Sequence, residues 1–201
     1  MRTCYIVRHA DKAAGDFYNP RLRHQDQPIS DMGRQAAQHL CPYFEGKPIS
    51  AIYVSEYLRT WQTIQPIALE RGLTPTIDPR LNEIDNGLFE GKTAAEIQQQ
   101  FPAEWQAYRE RKSDFRFPSG ESGAEAQQRI ASFLAEKHSQ HSDQDILLVS
   151  HDGLIRVLMC HIVHLPVYLR SSFRVDTCGI MEITYQPDYN SWRLIRFNQV
   201  C

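Results

Sequence analysis

An α/β fold, a three-layer α/β/α sandwich around a mostly parallel sheet, is predicted by two features of the chain. Short apolar runs without polar alternation recur at Tyr5-Ile6-Val7, Ala51-Ile52-Tyr53-Val54 and Ile146-Leu147-Leu148-Val149, the pattern of strands buried on both faces. A stretch with helical apolar spacing follows the second and third of them, giving the strand–helix rhythm of a parallel sheet.

Residues 3–8 read as the first strand. Ser30-Asp31 with Gly33 opens a helix that runs to about Phe44 on Ala36, Ala37, Leu40 and Phe44, and Gly46 and Pro48 stop it. Residues 51–54 form the second strand. The helix of residues 57–71 carries Leu58, Trp61, Ile64, Ile67 and Ala68 on its apolar face, has Arg59 in its first turn and is closed by Gly72. A short strand near 76–78 leads to Leu81-Asn82-Glu83-Ile84 and a glycine-containing loop. Residues 93–112 are helical with a break at Pro102, 115–120 are loop, and a long helix runs on to about Glu136. Residues 145–150 are the next parallel-type strand and 153–163 the next helix. Residues 173–176, 180–185 and 192–197 read as closing strands.

The 201 residues suit a single domain, 1–201, in which an insertion of about 85–122 is a candidate lid. The formal net charge is −2 and the charges are interspersed, which argues against nucleic acid or a membrane surface as partner. Cys4, Cys41, Cys160, Cys178 and Cys201 form no CxxC pair and are odd in number, which fits reduced thiols. The N-terminal apolar run is too short for a signal peptide or a membrane span, so a cytoplasmic protein is expected. Oligomeric state is not readable from the chain.

Arg8-His9 and His151 follow two buried-type strands. In an open α/β sheet, ligands bind beyond the carboxyl ends of the strands, so these residues are expected to share one site, and Arg beside His points to an anion, phosphate first.

Further segments stand in register with those two: Val7-Arg8-His9-Ala10, Ser55-Glu56-Tyr57-Leu58-Arg59-Thr60, Leu81-Asn82-Glu83 with Gly87 and Glu90-Gly91, Ser119-Gly120-Glu121-Ser122, and Val149-Ser150-His151-Asp152-Gly153. In this order they resemble the histidine phosphatase superfamily, the phosphoglycerate mutase-like fold, over nearly the whole chain. The resemblance carries five positions across: Arg8, His9, Arg59, Glu83 and His151. The chemistry asks for the same residue types. Phosphoryl transfer is mostly positioning plus electrostatic stabilisation, so fixed cations and a nucleophile are needed. Arg8, Arg59 and His151 form the binding wall, and His9, as neutral imidazole, is the nucleophile that becomes phosphohistidine. A carboxyl group must protonate the leaving oxygen and then activate water. Glu83 ranks first for that task by its place in the motif, ahead of Glu90 and of Glu121, which reads as an early-helix charge.

Ser55 reads first as the N-cap of the Arg59 helix and second as a donor to ligand. Ala10 stands where many relatives have Gly, no Gly-Glu-Thr follows, and Asp152 replaces a Gly. Asn19 is the candidate for a displaced phosphate-contacting Asn. Cys160, His161 and His164 imitate half a metal site but read as helix packing, so no metal and no cofactor are expected. The aromatics Phe101, Trp105, Tyr108, Phe115 and Phe117 read as packing of the insertion, with pocket lining as the second reading. Arg109, Arg111, Lys112 and Arg116 read as a solvated face. The short step from Glu83 to Ser119-Gly120-Glu121-Ser122 and the Phe173-Arg174-Val175-Asp176 run resemble the small phosphatases, including α-ribazole and broad-specificity phosphatases. Hydrolysis of small-molecule phosphomonoesters is therefore the expected activity, with mutase-type transfer and binding without turnover as the other two readings.

Overall fold

The computed structural model describes residues 2–22, 24–141 and 143–201. Six strands form the main sheet in the order β5-β4-β6-β1-β7-β8. Strands β1 (Thr3–Arg8), β4 (Ile49–Val54), β5 (Thr76–Ile77) and β6 (Asp145–Ser150) pair in parallel. The closing strands β7 (Ile180–Gln186) and β8 (Ser191–Gln199) are antiparallel. A two-residue ribbon, β2 (Tyr18–Asn19) with β3 (His24–Gln25), stands apart.

Alternation along the central strands builds two cores. Cys4 and Ile6 of β1 and Ile146 and Leu148 of β6 point to one face, where α5 (Gly123–Gln140) and α6 (Asp152–Ile162) pack through Ile130, Phe133, Leu134, Ile155 and Leu158. Tyr5, Val7, Leu147 and Val149 point to the other, against Ala37, Leu40 and Phe44 of α1 (Asp31–Phe44) and Ile64 and Ile67 of α2 (Leu58–Arg71). Both faces of β1 and β6 are covered, which is why their sequences carry unbroken apolar runs.

The insertion holds α3 (Ala94–Gln100) and α4 (Pro102–Glu110), with Pro102 at the first position of the second helix, where its missing N–H costs nothing. Phe89, Phe101, Tyr108, Phe115 and Phe117 pack ring on ring and join the α5–α6 core, as the packing reading expects. Arg109 lies over the Trp105 ring, and Lys112 and Arg116 pair with Glu110 and Glu125.

Two expectations are corrected. Residues 173–176 form no strand, because the Val175 carbonyl accepts from Arg8 Nη1 at 2.6 Å and Asp176 is held on backbone and side chain by Asn198. Glu121 is not in the first helical turn: Ser122 is the N-cap of α5 and Glu125 closes its capping box. The five cysteines are free thiols, and among the described residues no helix is long and apolar enough to cross a membrane.

Candidate active site

His9 extends β1 by one residue, its N–H donating to the Ser150 carbonyl at 2.9 Å. The next peptide is fixed as well, since Ala10 N–H donates to Thr63 Oγ1 at 2.8 Å and that hydroxyl donates to the Arg59 carbonyl at 2.7 Å. His9 Nδ1 lies 2.7 Å from the Ala10 carbonyl, an acceptor only, so Nδ1 carries the proton and Nε2 presents its lone pair. The ring is 5% exposed. Burial, then the Arg59 charge, hold its pKa down to about 3, so His9 is a neutral imidazole across the physiological range.

His151 stands beside it, ring centroids 5.1 Å apart, and is fully buried. Arg59 Nη2 lies 3.1 Å from His151 Nδ1, and a guanidinium can only donate, so Nδ1 accepts. Nε2–H therefore donates to Ser55 Oγ at 2.8 Å. Burial, followed by Arg59 and His9, keeps the His151 pKa well below the usual histidine value. Ser55 is thus not the helix N-cap the sequence suggests. That position is Tyr57, and the Leu58 N–H goes to Asp26 Oδ1 at 2.8 Å. Ser55 instead fixes the tautomer of His151, and its hydroxyl is further engaged by Thr60 Oγ1 and by the Tyr57 N–H.

Arg59 is 5% exposed and stacks on the Tyr57 ring at 4.2 Å. Burial lowers its pKa, the cost of holding a cation away from water. Arg8 is anchored on the Val175 carbonyl. Neither guanidinium forms an ion pair among the described residues, and each keeps a buried Nε–H without a partner. Two cations without an ion pair, Arg59 buried and Arg8 half-buried, beside two neutral histidines make a pocket that favours an anion.

Glu83 lies at the start of the helix that follows His151. Its Oε1 accepts from the N–H groups of Ile84 at 2.9 Å and Leu154 at 3.0 Å, and Oε2 accepts from Gly153 at 3.1 Å. The carboxylate thereby occupies the N-terminus of α6, whose own N-cap, His151, makes no capping bond with its side chain. Gly153 lets the carboxylate come this close, since a Cβ there would sit 2.7 Å from Glu83 Oε1 and push it away. Behind Glu83, Arg129 of α5 donates to the carbonyls of Arg80 at 2.6 Å and Glu83 at 3.2 Å and pairs with Glu121 at 2.6 Å. Glu121 Oε1 also accepts from the Asp85 N–H, and the Glu121 N–H returns to the Asp85 carbonyl. Gly87 (φ +52°) makes the turn that closes this loop, with Pro118 O only 2.0 Å from where a Cβ would stand. A cleft of about 390 Å3, lined by Arg21, Leu22, His24, Tyr57, Asn82, Glu83, Asp85, Glu121 and Arg129, opens to solvent beside Glu83.

Of the positions singled out in the sequence, Arg8, His9, Arg59 and His151 are brought together directly, and Glu83 lines the adjoining cleft. Asn19 is not among them. Its amide donates to Asp26 Oδ2 at 3.0 Å and its Oδ1 accepts from the Arg21 N–H, so it shapes the β2–β3 ribbon and orients the carboxylate that caps α2. Asp152 spends its charge on Arg156 one turn along α6. Sequence reasoning missed Thr63, Asp26 and Arg129, which act through tertiary contacts that no local spacing announces.

Comparison with known proteins gives the family. The family model of the histidine phosphatase superfamily, branch 1, matches residues 4–199. Phosphoserine phosphatase 1 of Hydrogenobacter thermophilus is 27% identical over 98% of this chain and 92% of its own length. A protein of Proteus mirabilis named as probable phosphoglycerate mutase GpmB is 30% identical over 92% of this chain and 86% of its own. Among solved structures, YhfR of Bacillus stearothermophilus superposes with a TM-score of 0.85 at 24% identity, covering 99% of this chain and 98% of that one. The α-ribazole phosphatase of Shigella flexneri gives 0.81 at 22% identity, covering 98% and 96%. The chain belongs to branch 1 of the histidine phosphatase superfamily.

Proposed function

We propose that this protein hydrolyses small-molecule phosphomonoesters through a phosphohistidine on His9. The observation that carries the reading is the His9 ring itself: Nδ1–H is tied to the Ala10 carbonyl, which leaves a neutral Nε2 lone pair among Arg8, Arg59 and His151. In the first step Nε2 attacks phosphorus, the bond to the ester oxygen breaks, and Glu83 delivers a proton to that oxygen. In the second, Glu83 takes a proton from water, the oxygen attacks phosphorus, the N–P bond breaks and inorganic phosphate leaves. Arg8 and Arg59 balance charge on the non-bridging oxygens throughout. Ser55 serves by fixing His151, and Asn19 by holding the ribbon and Asp26.

Hydrolysis rather than transfer to a second substrate is supported by the solvent-open cleft beside Glu83, which lets water reach the carboxylate. The relatives named as phosphoglycerate mutases support the second reading, phosphoryl transfer between substrate positions. The charged walls of the cleft favour a polar leaving group such as an amino-acid, glycerate or sugar alcohol. The five free thiols favour a reducing, cytoplasmic location.

The test is phosphate release from a panel of phenyl phosphate, phosphoserine, 3-phosphoglycerate, α-ribazole phosphate and sugar phosphates, with a chelator present and His9→Ala as control. Release that depends on His9 and survives chelation is the expected result. Isomerisation of phosphoglycerate that outpaces phosphate release and needs a bisphosphorylated primer would replace the hydrolase reading with the mutase one.

A further inference from the structure

We propose that Tyr57 is a positioning residue of the anion pocket: its ring holds the buried Arg59 guanidinium in the place of a carboxylate, which keeps that cation undischarged and its donors open to a phosphoryl group. The inference rests on the phosphatase reading above. Arg59 is 5% exposed, and a cation that deep is normally paired with a carboxylate. Here the Tyr57 ring takes that part, with the guanidinium carbon 4.2 Å from the ring centroid. For an anion site the difference is decisive. A carboxylate would cancel the charge and occupy the donor fork, whereas the face of a ring stabilises the cation and uses none of its hydrogen bonds. Arg59 Nη2 lies 3.1 Å from His151 Nδ1, Nη1 reaches the Gln25 carbonyl only at 3.5 Å, and the buried Nε–H has no partner among the described residues.

The local fold explains how a ring two residues away meets this head group. Side chains at i and i+2 diverge along a helix, but Tyr57 is the N-cap of α2 and extended (φ −80°, ψ 133°), so helical spacing does not bind it. Its backbone is pinned at both ends, the N–H donating to Ser55 Oγ at 3.2 Å and the carbonyl accepting from Thr60 Oγ1 at 2.8 Å. The same ring packs T-shaped on His151 with centroids 5.0 Å apart, so one buried surface sets both Arg59 and the histidine to which it donates. Tyr57 also lines the cleft beside Glu83, where a leaving group would pass. That second role is the weaker one, since the residue is 6% exposed and leaves little surface to touch. Without the ring, the Gln25 carbonyl and the Asp26 carboxylate, held one residue away on the Leu58 N–H, are the acceptors that draw the guanidinium aside.

The experiment places phenylalanine and its mono-, di- and trifluorinated forms at position 57, with Tyr57→Leu alongside. It reads phosphate affinity by calorimetry and kcat/KM on phenyl phosphate and on an alkyl phosphate. Each fluorine draws electrons from the ring face with little change of shape, so the series keeps the unfolding midpoint and weakens only the attraction for the cation. The expected result is Tyr57→Phe close to wild type, then a stepwise loss reaching about tenfold in the trifluorinated form, equal for phosphate affinity and for kcat/KM on both esters, and at least as large in Tyr57→Leu. Phosphate affinity that stays flat along the series would overturn the proposal and leave Tyr57 as packing. So would a loss confined to one ester, which would make the ring a wall for the leaving group. A graded loss of phosphate affinity in a protein whose wild type forms no phosphohistidine would defeat the phosphatase reading and keep the role of Tyr57. A flat series in a protein that does form it would do the reverse.

Discussion

His9 and Glu83 are held by opposite kinds of scaffold. His9 sits on the floor, at the end of a central strand buried on both faces, fixed by the Ser150, Ala10 and Thr63 contacts within a few residues of the sheet. Glu83 sits on the wall, in an irregular segment with no ladder to hold it, and is positioned by the N-terminus of α6 and by Arg129 and Glu121 from 38 to 46 residues further along. The proposed nucleophile is therefore held by topology and the proposed acid by a side-chain network. On that proposal, damage at His9 removes the chemistry outright, while damage around Glu83 detunes it.

The comparison breaks most visibly at His9. His9→Ala is expected to lower kcat/KM by roughly four orders of magnitude or more on every substrate, with the unfolding midpoint retained, since the N–P bond cannot form. Steady-state kinetics on phenyl phosphate and on an alkyl phosphate reads this, and activity within tenfold of wild type would remove His9 from the mechanism. Glu83→Gln comes next, with a loss of roughly 10²–10⁴ on alkyl esters and a much smaller one on an activated aryl phosphate, because only poor leaving groups need the proton. Equal losses on both would mean that Glu83 holds α6 and transfers nothing.

Arg129→Met sharpens the contrast, for it touches no reacting atom. Its loss removes the ion pair of Glu121 and the donor to two carbonyls, at about 2 kcal/mol, or roughly 4–8 °C in Tm. A fall of about tenfold in kcat on alkyl esters is expected alongside, with phosphate inhibition unchanged, since misplacement of the acid costs rate and not anion binding. Equal weakening of phosphate binding would show that wall and floor are one unit.

A further effect is in acid stability. Folded His9 keeps its pKa near 3, whereas the unfolded chain takes up the proton near the ordinary value of about 6.5. Between those values the unfolded state binds more protons, so stability falls as pH drops below about 6.5, by up to about 1.4 kcal/mol per pH unit for each such histidine. Above that range the group contributes no slope. In denaturant melts from pH 7 to 4 the wild type should lose stability more steeply than His9→Asn as pH falls, and parallel curves would mean that His9 titrates normally.

What could be read from the sequence follows the same division. The floor was legible because unbroken apolar runs mark two-sided burial, and a charged pair directly after such a run lies at a strand end, as Arg8, His9 and His151 do. Arg59 was legible from its place in the first turn of a periodic helix. The wall was legible only through family resemblance: Glu83 lies on no periodic element, and Glu121 was read as a helix charge because its partner, Arg129, is a tertiary one. Ser55 was misread for a related reason, since a Ser before a helix is usually its cap, and here Asp26, brought over by the β2–β3 ribbon, took that task. The 173–176 segment has strand composition, yet Arg8 and Asn198 take up the polar groups a ladder would need.

The most direct test of the account is to locate the phosphoryl group. Wild-type protein mixed with an alkyl phosphate, quenched in base within the first turnover and digested for mass spectrometry, is predicted to carry an acid-labile, base-stable phosphate on the peptide containing His9. Phosphate release that proceeds with no phosphoenzyme at His9, or with the label on another residue, would contradict the claim that this buried neutral imidazole is the nucleophile.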